Sequence, residues 1–222
     1  MDQIKDMTVV DCGSSQYIRP LRLHFTQNGR KKAWDALKVH DSVAIVVYNS
    51  TRDVLIFVRQ FRPAVYINRV EMETDADGRR TIDTERFPGQ LGLTYELCAG
   101  IVDKKIPPLE IAREELLEEC GYQVPDANLT RITGFRMGVG TSGAWQDLYY
   151  AEVTDDMKVS SGGGNANEGE MIDVVEIPAQ EGRKFAMDES INKPVGVLFG
   201  VMWFYDNVYD RKVKGTKRKD TE

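Results

Sequence analysis

Apolar positions along the first third of the chain fall in the rhythm of β-strands. Leu21 to Phe25 alternates apolar with polar residues and runs into Asn28-Gly29, a pair suited to tight hairpin turns. Lys31 to Lys38 supplies the returning strand. Ser42 to Tyr48 is almost continuously apolar, and Val54 to Phe61 follows after the turn-forming Asn49 to Asp53. Such unbroken runs predict two buried strands of one sheet. Arg69 to Gln90 breaks the pattern with six acids, four arginines, Asp77-Gly78 and Pro88-Gly89, and reads as a long exposed insertion. A strand at Tyr95 to Cys98 follows.

Periodicity then changes to helical. Pro107-Pro108 opens a helix that ends at Cys120 with Gly121 behind it, the expected order of proline at the start and glycine past the end. Strands are predicted near 130–135, 146–153 and 171–177. The stretch from Ser160 to Asn167, rich in Ser, Gly and Asn, reads as a flexible loop whose glycines let it close on a ligand. A C-terminal helix is expected from Val195 to Tyr209. There is no internal repeat.

At 100° per residue, Leu109, Ala112, Leu116 and Cys120 share the side of the 108–120 helix that can pack on a sheet. Glu115, Glu118 and Glu119 fall on the adjoining face at i, i+3 and i+4. Like charges so spaced repel by a few tenths of a kcal/mol per pair, and they sit at the helix end where the macrodipole disfavours anions. A hard divalent cation would resolve both costs. Exposed helices also carry glutamate triplets as plain solvated faces, so spacing alone leaves both readings open.

Composition narrows the field. With 222 residues, 41% of them hydrophobic, the chain can bury a sizeable core, which excludes global disorder and fibrous architectures. The longest apolar run, Val195 to Tyr205, is too short to span a bilayer, and Met1 to Asp11 lacks the apolar stretch of a secretory signal. Three scattered cysteines, Cys12, Cys98 and Cys120, fit a reducing cytoplasm, and two histidines argue against a histidine metal site or a Ser–His–Asp triad. The net charge of −6 conceals a basic tail of +4 over residues 211–222, so the body carries −10. Neither a nucleic-acid partner nor a membrane is expected for so acidic a body. Gly138 to Gly143 spells G-x-G-x-x-G, but a strand and not a helix follows, so the dinucleotide-binding reading fails.

Gly100 and the segment Glu115-Leu116-Leu117-Glu118-Glu119-Cys120-Gly121-Tyr122 resemble the Nudix box, G-x5-E-x7-R-E-U-x-E-E-x-G-U, with U apolar. Ile106 and Glu114 depart from it, standing where the box has the Glu and Arg of a structural ion pair; Arg113, one residue away, is the candidate to compensate. Val58 to Ala64, Glu96 to Gly100 and Lys31 to Asp35 resemble the branch of that family acting on UDP-sugars and ADP-ribose, and the likeness extends along nearly the whole chain.

The resemblance implies an α/β/α sandwich with a mixed sheet, spanning 41–210 with the insertion near 69–90. It also implies a small antiparallel N-terminal β subdomain at 1–40 that helps form a homodimer. It implies Mg²⁺-dependent hydrolysis, with Mn²⁺ able to substitute, of a UDP-sugar to UMP and a sugar 1-phosphate. ADP-ribose hydrolysis and nucleotide-sugar binding without cleavage are the alternatives. By position, Glu115, Glu118, Glu119 and the Ala99 carbonyl would hold the metal, and Glu170 or Glu168 would serve as base, against the plainer reading of an acidic loop end. Arg62 would bind phosphate, or form an ordinary ion pair. Trp34 would stack on the base, or pack in the core or a dimer interface. Lys32 and Glu96 are further substrate contacts.

Overall fold

The computed structural model describes residues 2–211, so the basic tail falls outside it from residue 212 onward. In chain order the first strands are β1 (Thr8–Val9), β2 (Arg19–Gln27), β3 (Arg30–Lys38), β4 (Ser42–Asn49) and β5 (Val54–Phe61). A short helix α1 (Pro63–Tyr66) precedes β6 (Glu73–Thr74), β7 (Arg80–Thr81), β8 (Leu93–Glu96) and β9 (Cys98–Ile101). Helix α2 (Pro108–Cys120) leads to β10 (Leu129–Arg136), β11 (Trp145–Val153) and β12 (Asp173–Pro178). Helices α3 (Gly182–Met187) and α4 (Val195–Phe204) follow, the latter running on into a π-helical turn at Tyr205–Tyr209.

Seven strands form the central mixed sheet, five of them in the order β10-β11-β4-β5-β12, with β8 paired to β5 and β9 to β4. Strand β4 pairs parallel with β11 along its whole length, while its other edge is shared. Residues 47–49 pair with β5, and residues 42–45 pair with β9. Strands β4 and β5 therefore separate after three residue pairs. The segment Leu93–Ile101 fills the fork, with β8 along β5 and β9 along β4. The single strand expected at 95–98 is thus two, because Leu97 is where the chain crosses from one arm of the fork to the other.

The apolar runs do lie between two cores. Val43, Ile45 and Val47 of β4 face Ile111, Ala112, Leu116 and Cys120 of α2. Ala44, Val46 and Tyr48 face Phe185 of α3 and Val197, Val201 and Phe204 of α4. A strand buried on both sides needs no polar alternation, which explains the sequence of β4. The result is the expected α/β/α sandwich.

Two peripheral units complete the molecule. The insertion is strapped down by the N-terminal segment: β1 pairs with β7, Arg80 meets Asp11 at 2.6 Å, and Gly89 packs where a Cβ would lie 2.2 Å from the Asp2 carbonyl. The β2–β3 hairpin projects with nearly every residue exposed. Its register places Leu21, Leu23, Phe25, Trp34 and Ala36 on one face. It touches the body where Leu37 N–H donates to the Thr141 carbonyl and Trp34 Nε1–H to the Gly140 carbonyl, at 2.8 and 3.1 Å. The Gly138–Gly143 segment is therefore the β10–β11 turn on which the hairpin rests.

Candidate active site

Helix α2 lies with its glutamates over the fork. Proline at its first position sacrifices only an N–H that would have no helical partner. It stops at Gly121, where φ is +79° and a Cβ would lie 2.2 Å from the Ser160 carbonyl oxygen, so only glycine fits. Gly100 of β9 answers a second steric demand, since a Cβ there would sit 1.9 Å from Glu115 Oε1. The missing side chain is the space in which the Glu115 carboxyl lies. One turn on, Glu119 is 3% exposed and its Oε2 accepts the Ala99 N–H at 2.8 Å.

Burial is the main cause that pushes Glu119 up to about 8, with Glu115 and Glu170 adding repulsion against the Ala99 N–H and the Cys98 thiol. Burial likewise raises Glu115 to about 7, followed by repulsion from Glu118 and Glu170. One buried and one half-buried carboxyl beside further carboxylates suit an oxygen-seeking dication, which would repay both penalties. The donor set thus fits Mg²⁺ in kind. Among the described residues, however, no three acidic, histidine or cysteine side chains converge into a ready-made metal shell.

Opposite the helix, Arg62 at the end of β5 forms a two-pronged pair with Glu96 of β8, both contacts 2.8 Å. Thr94 also donates to Glu96. Burial pushes the Glu96 carboxyl up, but the Arg62 guanidinium and Thr94 hydroxyl prevail and hold it below its ordinary value. The charges of Glu119 and Glu170 add to those of Glu96 in favouring the charged guanidinium of Arg62. Arg62, Thr94 and Glu96 line a cavity of about 520 Å³ whose far wall is Ile191 to Pro194.

The glycine-rich segment is docked, contrary to its reading as a free loop. Gly163 and Gly164 N–H groups donate to the carbonyls of Glu119 and Glu118, at 3.0 and 3.1 Å, and so satisfy the end of α2. This brings Glu170 to the cluster, where Asn165 N–H donates to its Oε2 at 2.9 Å. Glu170 precedes β12 by three residues. The side chain of Glu168 lies outside what the structure describes.

The box's altered ion pair is also resolved. Arg113 pairs with Asp126 at 2.8 Å and does not compensate; Glu114 pairs with Lys104 at 2.6 Å, while Ile106 packs on the core beneath α2. Lys104 lies two residues from the box's acidic position, and a pattern that fixes only that position does not reveal it. Trp34 and Lys32 sit on the hairpin, Trp34 against Gly140 and Lys32 donating to Gln27. Glu96, Arg62, Ala99, Glu115, Glu118, Glu119 and Glu170 form one neighbourhood at the fork.

No protein-family model matches the chain. It is 44% identical to the uridine diphosphate glucose pyrophosphatase NUDT14 of Bos taurus, over 94% of this chain and 97% of that protein. It is 40% identical to the Mus musculus protein of the same name, with the same coverage. A GDP-mannose pyrophosphatase of Salmonella arizonae is 29% identical over 82% of this chain and 84% of its own length. With likeness of that extent and the box residues gathered at one fork of an α/β/α sandwich, the chain belongs to the Nudix hydrolase family.

Proposed function

We propose that the protein hydrolyses the diphosphate bond of a nucleoside diphosphate sugar, UDP-glucose foremost, to UMP and glucose 1-phosphate. The observation that carries this reading is a pair of charge-averse carboxyls, the half-buried Glu115 and the buried Glu119, set against Gly100 and Ala99 at the fork. The relatives' names supply the substrate class. Glu115, Glu118, Glu119 and the Ala99 carbonyl would hold Mg²⁺, or Mn²⁺ in its place. When bound, the ion screens the diphosphate charge and acidifies water.

The chain's own groups do the rest. Glu170, held by the Asn165 N–H, takes the proton of the attacking water; Glu168 on the same loop is the alternate base. Arg62 spends Nε–H and one Nη2–H on Glu96 and keeps further N–H groups for a phosphate oxygen. Glu96 thereby aims the guanidinium. Lys32 and Trp34, away from the cluster on an exposed hairpin with a partly apolar face, serve the nucleotide end in a homodimer formed through that face. Buried, unpaired Cys98 and Cys120 suit the cytoplasm, and no helix among the described residues is long and apolar enough to cross a membrane.

The test is a panel of UDP-glucose, GDP-mannose and ADP-ribose with and without Mg²⁺, with products identified and H₂¹⁸O locating the phosphorus attacked. UDP-glucose is expected to turn over fastest and only with the ion. Equal or faster turnover of ADP-ribose overturns the substrate assignment, and ion-independent turnover overturns the metal assignment.

A further inference from the structure

The run Gly162-Gly163-Gly164 has three successive positive φ values, +68°, +114° and +81°, yet it is fastened at both ends. A Cβ on Gly162 would lie 2.3 Å from the Glu119 carbonyl oxygen, so the backbones of loop and helix are in direct contact. Two N–H groups then cap the carbonyls of Glu118 and Glu119, and Ile172 N–H returns to the Gly163 carbonyl at 3.2 Å. Between these fastenings Asn165 and Glu170 are joined twice. Glu170 N–H donates to the Asn165 carbonyl, and Asn165 N–H donates to the Glu170 carboxylate.

Gly164 lies directly beneath that carboxylate. A Cβ there would be 2.8 Å from Glu170 Oε2, 2.9 Å from Glu170 Cβ and 3.0 Å from Ile172 Cδ1. Gly169, also at positive φ (+77°) and adjacent to Glu170 in sequence, would meet nothing within 4 Å. Two glycines of one loop thus carry similar backbone demands, and only one of them shapes the place of the carboxylate.

We propose that Gly164 is a positioning residue for Glu170: its absent side chain and its hydrogen bond to the end of α2 hold the carboxylate in one place relative to Glu115 and Glu119. The loop is a fixed bracket joining base to helix. This rests on Glu170 being the base, which Glu170→Gln tests separately by losing at least about 100-fold in kcat.

Gly164→Ala, Gly169→Ala and the double variant Gly164→Ala/Glu170→Gln are compared on UDP-glucose with saturating Mg²⁺, alongside their melting temperatures. Gly164→Ala is expected to lower kcat at least about tenfold with KM within about twofold, while Gly169→Ala, bearing a similar left-handed strain, keeps kcat within about threefold. In the Glu170→Gln background Gly164→Ala should cost less than about twofold more, because its effect passes through the missing carboxylate. Equal losses for the two glycine variants, or a full tenfold further loss in that background, overturn the proposal. If Gly164→Ala does not fold, Asn165→Pro, which removes the N–H held by Glu170, replaces it against Asn165→Ala, which keeps that N–H. A kcat loss confined to the proline variant supports the bracket, and equal losses overturn it. A Glu170→Gln enzyme with full activity overturns the functional reading itself, a different result from either of these.

Discussion

Glu119→Gln preserves side-chain volume and an acceptor oxygen for the Ala99 N–H while removing the charge. In the parent, burial at 3% exposure drives this carboxyl from 4.5 up to about 8. An acid whose folded pKa lies above its unfolded value makes the native state bind more protons than the unfolded chain between those two pH values. Stability therefore falls as pH rises from about 4.5 to about 8 and levels off beyond. At pH 7 the chain is about 2.5 pH units past the unfolded value, and at about 1.4 kcal/mol per unit the proton that the native state must hold, and the unfolded chain has lost, opposes folding by about 3 kcal/mol. For a chain of this size each kcal/mol is about 2–4 °C, so the Gln variant in chelator should melt about 6–12 °C above the parent at pH 7. Near pH 4.5 the two should agree. Scanning fluorimetry across pH 4.5 to 8, with and without Mg²⁺, reads both effects, and Mg²⁺ should raise the parent's melting temperature more than the variant's. Hydrolysis should fall at least about 100-fold. A variant that melts no higher than the parent at pH 7 in chelator, or that keeps its turnover, refutes the reasoning.

Three other outcomes follow from the geometry. Gly100→Ala puts a methyl 1.9 Å from the position of Glu115 Oε1 and should cut kcat at least about 100-fold while lowering the melting temperature only a few degrees, measurable by kinetics and calorimetry. Arg62→Ala leaves Glu96 without its guanidinium and should cost about 1–3 kcal/mol in urea unfolding at pH 7, with Glu96→Gln in the same background recovering part of it. Leu23→Glu places a charge on the apolar face of the hairpin and should convert a dimer to a monomer by light scattering at unchanged far-ultraviolet circular dichroism, whereas an unaltered mass would place any dimer contact elsewhere.

Local chemistry made much of this legible. Helix α2 begins and ends where its prolines and Gly121 stop it, because those residues act on the backbone within one turn. The buried stripe was legible as Ala112, Leu116 and Cys120, with Leu109 only half-buried and Ile111 buried as well. Strands β4 and β5 and the Asn28-Gly29 turn followed from apolar runs and turn chemistry for the same reason. The glutamate face was visible, yet its spacing could not separate a metal site from a solvated surface. That choice depends on burial, which is set by strand β9 rather than by the helix.

Long-range encounters explain what stayed hidden. Nothing local to Leu93–Ile101 announces that β4 and β5 diverge and that this segment must serve both. Nothing local to Gly162–Gly164 distinguishes a free loop from one whose N–H groups cap a helix forty residues earlier in the chain. Composition signals backbone freedom, but the partner carbonyls decide how that freedom is used.

The sequence by itself determined the long strands and helix α2, the two-sided apolar sheet and the family box with its three glutamates, because these depend on periodicity and on residues a few positions apart. Only the tertiary structure decided that Glu115 occupies the space Gly100 leaves empty, that Glu119 is buried against Ala99, that Lys104 and not Arg113 answers Glu114, and that Glu170 is brought to them by a docked loop. The physical reason is that a carboxylate's energetics are set by its surroundings, and in a folded chain those surroundings come from distant segments.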